Sequence, residues 1–249
     1  MRALPPLALL AIASIASFPT AADAQSALER GYLFKPPAAT ITLFGGFAQA
    51  SASSDIFAQS FDELTLGRQD FAGSDRGVDV AITLNGRTDI VFSVAGNSVR
   101  RRSAFRDWVD QDGRDIEQTT RFSRTPIGIG ARYYLRDRGR MIGSRAWIPT
   151  RLLPYVGASV GGMRYRFVQY GDFIDPGTLD VFRDEFKAEG VAMFGQASAG
   201  AAWSIIPEMQ LVGDLRYTYA RGSLGRDFAG FDRIDLSGLT TAVGLAIRF

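Results

Sequence analysis

The chain has 249 residues and a formal net charge of +2, and it contains neither histidine nor cysteine. Without those residue types the usual zinc sites, His-activated Ser or Cys nucleophiles and a disulfide scaffold are excluded. The balanced charge gives no reason to expect nucleic acid, and the length suits one all-β domain.

Met1-Arg2 is a short positive start, Ala3–Ile15 is apolar and uncharged, and Ala22-Asp23-Ala24 has the small-x-small pattern of a signal peptidase site. Residues 1–24 therefore read as a signal peptide cleaved before Gln25. Residues 25–37 then form a periplasmic N-terminal segment and residues 38–249 the folded domain. A single membrane anchor fits less well, because a spanning helix needs about 20 apolar residues and Pro5, Pro6 and Pro19 interrupt this stretch. No later segment has that character, so a membrane-embedded mature chain has to be a closed barrel, whose backbone groups all pair internally.

The remainder divides into eight alternating segments. The first is Thr40–Ala48, with Ile41, Leu43, Gly45 and Phe47 on one face. The second, Gly77–Asn85, alternates Val78, Val80, Ile82 and Leu84 with Asp79, Ala81 and Thr83, and Asn85-Gly86 is a strong hairpin signal. The third, Thr88–Asn97, aligns Ile90, Phe92 and Val94, and the fourth, about Phe122–Arg136, sets Ile127, Ile129 and Tyr133 against Arg132, Tyr134 and Arg136.

The fifth runs from Leu152 to about Val168. Its apolar parity is even at Val156, Ala158 and Val160 but odd at Met163, Tyr165 and Phe167, which predicts a β-bulge at Gly161-Gly162. Without that bulge Arg164 and Arg166 would face lipid. The sixth, about Phe186–Ile205, carries Val191, Met193 and Trp203 on one face together with the small residues Gly195, Ala197, Ala199 and Ala201. The seventh, Met209–Arg221, opposes Leu211, Leu215, Tyr217 and Tyr219 to Asp214, Arg216 and Thr218. The eighth, about Ile234–Phe249, ends with Val243, Leu245, Ile247 and Phe249 on one face and Ala242, Gly244, Ala246 and Arg248 on the other.

Connections alternate in length. Asn85-Gly86-Arg87 and Ile206-Pro207-Glu208 are tight, whereas residues 49–76, 98–121, 169–185 and 222–233 are long and polar. Residues 137–151 are the exception, falling on the tight side but too long for a turn. With the long loops placed on one side, Tyr133, Tyr155, Trp203 and Phe249 are expected at one rim, and Phe47, Tyr165, Phe167, Phe186, Tyr217 and Tyr219 at the other. Two aromatic girdles, an even strand number and asymmetric loops are the marks of an eight-stranded antiparallel up-and-down transmembrane β-barrel. A soluble lipocalin-like barrel shares the alternation but not the girdles or the terminal aromatic.

With these features the chain resembles the small Gram-negative outer-membrane β-barrels, the porin-like superfamily that includes the OmpA barrel domain, OmpX and OmpW. Gly244, Ile247 and Phe249 match the terminal assembly signal of that group, while Ala242 stands where a polar residue is usual. The resemblance implies insertion by the barrel assembly machinery, outer-membrane lipid and lipopolysaccharide as surroundings, and both termini in the periplasm.

Three groups of residues are candidates for function. Asp79, Arg132, Arg136, Asp214, Arg216 and Arg248 face inward by parity, and a barrel of eight strands is narrow enough for side chains to fill it. They form either a structural plug of ion pairs or the lining of a small pore. Arg100, Arg101, Arg102 and Arg106 follow the third strand, where lipopolysaccharide phosphates would lie, although Asp107, Asp110, Asp112 and Asp115 nearby could neutralise them. Carboxylates in the loops show no calcium-binding spacing. The expected role is structural or envelope-related, with passive permeation of small solutes as an extension. Loop-mediated adhesion or lipopolysaccharide binding, and an OmpW-like conduit for hydrophobic solutes, are the alternatives. No enzyme activity, cofactor or metal is expected.

Overall fold

The computed structural model describes residues 31–175, 177–178 and 180–249; the predicted signal peptide and its cleavage site lie outside them. Among the described residues are eleven strands: β1 (Ala39–Ala50), β2 (Ala72–Thr83), β3 (Thr88–Val109), β4 (Asp115–Tyr134), β5 (Gly139–Ile142), β6 (Ala146–Pro149), β7 (Leu152–Ile174), β8 (Val181–Ile206), β9 (Met209–Gly222), β10 (Ile234–Asp235) and β11 (Gly238–Arg248). One helix, α1 (Asp55–Glu63), and a 3-10 turn (Arg68–Phe71) lie between β1 and β2.

Eight of these strands close a ring. β1 pairs with both β2 and β11, and β2, β3, β4, β7, β8, β9 and β11 continue around it, every neighbour antiparallel. Following paired residues once around leads from Trp203 through Leu211, Leu245, Leu43, Val78, Val94, Ile127 and Gly162 to Met193, ten residues away on the same strand. That stagger tilts the strands against the barrel axis, as closure requires. All of those residues point outward, and Leu43, Val94, Ile127, Val160, Met193, Leu211 and Leu245 are exposed. A greasy outer surface on a closed barrel suits a bilayer, which leaves no edge for water to solvate.

The ring is lopsided. β1, β2, β9 and β11 have 11 to 14 residues, whereas β3, β4, β7 and β8 have 20 to 26. About 9–11 tilted residues suffice to cross a bilayer, so the four longer strands project far past it on one side. Segments 98–121 and 169–185, expected as loops, are largely the hairpin ends of these strands. Residues 137–151 fold as the small β5–β6 hairpin beneath the opposite end. There Trp147 exchanges backbone hydrogen bonds with Leu33 at 2.7 and 2.9 Å.

The expected bulge at Gly161-Gly162 is absent: β7 pairs with β4 and with β8 without a register shift. Met163, Tyr165 and Phe167 are consequently buried inside, and Arg164 and Arg166 face outward. The phase change has another cause. Past the bilayer the barrel interior becomes apolar and its exterior polar, so the hydrophobic parity inverts along a regular strand. Tyr155 also turns inward, opposite its girdle assignment. Inward-facing glycines make this possible: a Cβ at Gly200 would lie 2.6 Å from the Tyr155 hydroxyl, and one at Gly222 would lie 2.5 Å from the Tyr165 ring.

Candidate functional site: a filled lumen and a basic outer wall

The lumen is filled at two levels by different chemistry. In the membrane-spanning half, inward residues of β2, β4 and β9 form a charged knot. Arg216 Nη2 donates to Asp79 Oδ2 at 2.8 Å and to Asp214 Oδ2 at 2.7 Å, and Arg132 Nη2 reaches Asp79 Oδ2 at 3.2 Å. Ser93 Oγ donates to Asp79 Oδ1 at 2.7 Å. The Arg216 guanidinium lies 4.2 Å above the Phe44 ring centroid and that of Arg132 lies 4.4 Å above Tyr155. All four charged side chains are buried. Two cations and two anions balance, which is the condition under which charges survive away from water.

Four of the six inward charges read from the sequence therefore come together: Asp79, Arg132, Asp214 and Arg216. Arg248 is buried apart from them, donating to the Pro207 carbonyl and Ser204 Oγ, both at 2.9 Å, beneath the Trp147 ring. Arg136 lies beyond the end of β4 and is exposed, so it does not belong to the lumen. Its place is taken by Arg138, whose Nη1 donates to Asp89 Oδ1 at 2.8 Å, while the Tyr134 hydroxyl donates to Asp89 Oδ2 at 3.0 Å. Asp89 shares the inward parity of Val91 and Ser93, a signal that was available in the sequence. Arg138 lies in a connection that folds back under the barrel, which no local pattern predicts.

Toward the projecting ends an apolar cap fills the lumen. Phe57 of α1 is fully buried, with ring centroids of Phe71, Phe122 and Phe167 at 4.9, 5.6 and 5.7 Å, all edge-on. Edge-to-face packing of this kind adds to area burial. The helix is held by polar ties. Asp235 accepts from Ser53 Oγ at 2.6 Å and from the Ser237 amide at 2.9 Å, and its own amide donates to Ser54 Oγ at 3.1 Å. Burial pushes the Asp235 carboxyl up, but the Ser53 and Ser237 hydrogen bonds outweigh it and hold it below the usual carboxylate range. A cavity of about 40 Å³ lies between Arg216 and the cap-side Met163 and Phe194, and one of about 30 Å³ lies at the knot itself, each with room for only a few waters.

The outer wall carries the third feature. Immediately past the apolar belt, outward positions of the four long strands hold Arg100, Arg102, Arg121, Arg164 and Arg166, all exposed, with Lys187 half-buried beside them. Arg100 is paired with Arg121, Arg121 with Val168, and Val168 with Lys187, so these side chains form one row across four strands. Arg121, Arg166, Val168, Tyr170 and Glu185 line an outward groove of about 220 Å³. The Arg100 guanidinium donates to the Tyr170 hydroxyl. Glu189 is neutralised within the row, its carboxyl held below the usual range first by its hydrogen bond from Lys187, 2.9 Å away.

The arginine run after the third strand is thus split by strand parity. Arg100 and Arg102 face out, whereas Arg101 turns to the Ala72 carbonyl at 3.2 Å. Arg106 donates to the Phe61 and Leu66 carbonyls, both at 3.2 Å, pinning the segment after α1. Of the expected girdle, Tyr133, Trp203 and Phe249 are exposed toward the end with short connections, and Phe47, Tyr217 and Tyr219 toward the projecting end. Tyr155, Tyr165 and Phe167 are buried inside, and Phe186 packs against the cap. Gly244, Ile247 and Phe249 lie at the β1–β11 seam, where the Phe249 amide donates to the Ala39 carbonyl at 2.9 Å.

No family model matches this chain, and no curated protein is detectably similar to it in sequence. Solved structures do share its architecture. The outer membrane protein OprG from Pseudomonas aeruginosa is 12% identical, with 87% of this chain and 99% of that chain covered at a TM-score of 0.50. Neisserial surface protein A is 13% identical over 85% and 97% of the two chains, with a TM-score of 0.47. Ail, the attachment invasion locus protein of Yersinia pestis, is 11% identical over 86% and 100%, with a TM-score of 0.41. At such identities the likeness is one of fold: this chain has the closed eight-stranded antiparallel β-barrel fold seen in OprG, here with an apolar outer belt.

Proposed function

We propose that the protein is a closed, non-catalytic barrel of the outer membrane whose basic wall binds lipopolysaccharide phosphates, giving it a structural role in the envelope. The row that holds Arg100, Arg121 and Lys187, with Arg166 two residues from Val168 on the same outward face, lies directly past the apolar belt and carries this reading. Lipid phosphates sit at the height where an outer leaflet gives way to water, and guanidinium groups bind them bidentately. This requires the projecting strands to face outward and both termini to lie in the periplasm. There Gly244, Ile247 and Phe249 would be read by the assembly machinery.

The filled lumen favours an envelope role over permeation. A solute passing along the axis has to displace both the Phe57 cap and the Asp79–Arg216 knot, and the charged knot also opposes an axial path for hydrophobic solutes. Without histidine, the protein lacks the imidazole base that activates serine in Ser-His hydrolases.

The test is lipopolysaccharide affinity of the barrel in lipid nanodiscs. Replacing Arg100, Arg121 and Arg166 together by Ala is expected to weaken binding at least about tenfold and to flatten its salt dependence. Unchanged affinity would defeat the proposal. Planar bilayers with wild-type protein are expected to show no conductance steps.

A further inference from the structure

Beside the cap, away from the charged knot and the basic wall, α1, the projecting ends of β3, β4, β7 and β8, and the segment before β10 border a half-open cavity of about 210 Å³. Its apolar side is largely aromatic, with Phe105, Phe173, Phe186, Phe228 and Phe231, and its other side is polar. Phe173 and Phe186 meet edge to face at 4.7 Å, Phe186 and Phe228 lie 6.2 Å apart, and Phe228 and Phe231 lie 6.4 Å apart, so the rings form a continuous surface. An apolar protein cavity of about 150 Å³ admits benzene, so this one accommodates a single aromatic ring with a small substituent.

One polar group in the cavity is unsatisfied. Gln118 of β4 is buried, lines the cavity, and its Oε1 has no hydrogen-bond partner. The neighbouring polar groups are already engaged. Gln169 Nε2 donates to Ser60 Oγ at 3.2 Å, Ser60 Oγ donates to the Ile56 carbonyl at 2.7 Å, and Gln59 and Glu63 at the edge bond each other at 2.7 Å. A buried acceptor without a donor is costly and is normally satisfied by water or a ligand. Glu63 and Asp227 line the cavity and no Lys or Arg does, which disfavours an anionic occupant.

We propose that this cavity binds a neutral, single-ring aromatic molecule bearing a hydroxyl or amino donor. Its ring packs among the phenylalanines, and its donor bonds Gln118 Oε1 once the side-chain amide, whose oxygen is buried behind the cavity surface, turns toward it. The site is separate from the lipid-binding wall, so neither assignment depends on the other.

The test compares p-cresol with toluene, which differs by the hydroxyl alone, in titrations of nanodisc-embedded protein followed by saturation-transfer NMR. Protein-free nanodiscs correct for partitioning into lipid. The wild type is expected to bind p-cresol saturably and about tenfold more tightly than toluene, the span of one well-made hydrogen bond. Gln118→Leu is expected to bring p-cresol down to the toluene level while leaving toluene unchanged. Gln59→Trp combined with Phe231→Trp, which together add two indole rings to the cavity wall, is expected to abolish binding of both. Absence of saturable binding, equal affinities in the wild type, a hydroxyl preference that survives Gln118→Leu, or binding that survives the double Trp variant would each overturn the proposal. Protection of residues 51–71 from limited proteolysis establishes that the cap of each variant is folded, and the double Trp variant remains decisive if Gln118→Leu does not fold.

Discussion

Asp79 and Arg216, 137 residues apart in sequence, meet across the barrel with Oδ2 and Nη2 at 2.8 Å. The same carboxylate also accepts from Arg132, and the same guanidinium also donates to Asp214, so one buried cluster joins β2, β4 and β9 through the centre of the lumen. Two arginines share Asp79, and this makes it the most heavily used group in the knot.

Asp79→Ala is therefore expected to destabilise the barrel by about 3–5 kcal/mol, the usual cost of leaving buried cations uncompensated. Asp214→Ala is expected to cost clearly less, because Arg216 keeps Asp79. Urea unfolding of the two variants in lipid vesicles, followed by tryptophan fluorescence, gives the comparison. Equal losses would mean that Asp79 is not the shared centre.

Phe57→Ala removes the ring around which the cap packs. Truncating a buried Phe costs about 3–5 kcal/mol, and here the loss is expected to fall on the cap rather than on the hydrogen-bonded ring of strands. Limited proteolysis should then cut between residues 51 and 71 much faster than in the wild type, with heat-modifiable migration retained. Protection equal to wild type would show that α1 is held without Phe57.

Asp235 makes the anchorage of α1 sensitive to acid. Its carboxyl is held below the usual range in the folded protein. The stabilisation is thus fully present above the unfolded value near 4, and is lost as pH falls through the lower folded value. The Ser53 amide, which donates to Asp235 at 3.2 Å, is expected to shift in NMR spectra with a midpoint below about 4. The shift should disappear in Asp235→Asn. A midpoint at or above the ordinary aspartate value would remove the hydrogen bonds from the account.

The four sequence-derived arginines should separate into two behaviours. Arg100→Ala is expected to weaken lipopolysaccharide binding without exposing the loop. Arg106→Ala is expected to leave that binding intact and increase proteolysis after α1, because its guanidinium bonds the Phe61 and Leu66 carbonyls. Measuring both properties on both variants distinguishes a lipid contact from a structural tie.

The period-two alternation was legible throughout the chain, and with it the strand number, the tight turns and the inward side of Asp79, Arg132, Asp214 and Arg216. Alternation is local, so it identifies faces wherever the environment on each side stays constant. It misled at Met163–Phe167, because β7 leaves the bilayer there and the apolar side moves from the outside to the inside of the barrel. The same inversion sent Tyr165 and Phe167 into the cap, and it set Arg164 and Arg166 on the wall.

The sequence by itself determined a closed barrel with a lipid-facing belt, since only one arrangement of eight alternating strands satisfies every backbone group in a membrane. Only the tertiary structure decided what fills that barrel and what surrounds its rim. Which charges meet depends on the ten-residue stagger of the ring and on connections that fold back beneath it, as with Arg138 and Asp89. Whether Arg101 holds the chain or Arg100 faces the lipid depends on a strand that continues far past the membrane. These pairings join residues distant in sequence, and chain closure, rather than local propensity, brings them together.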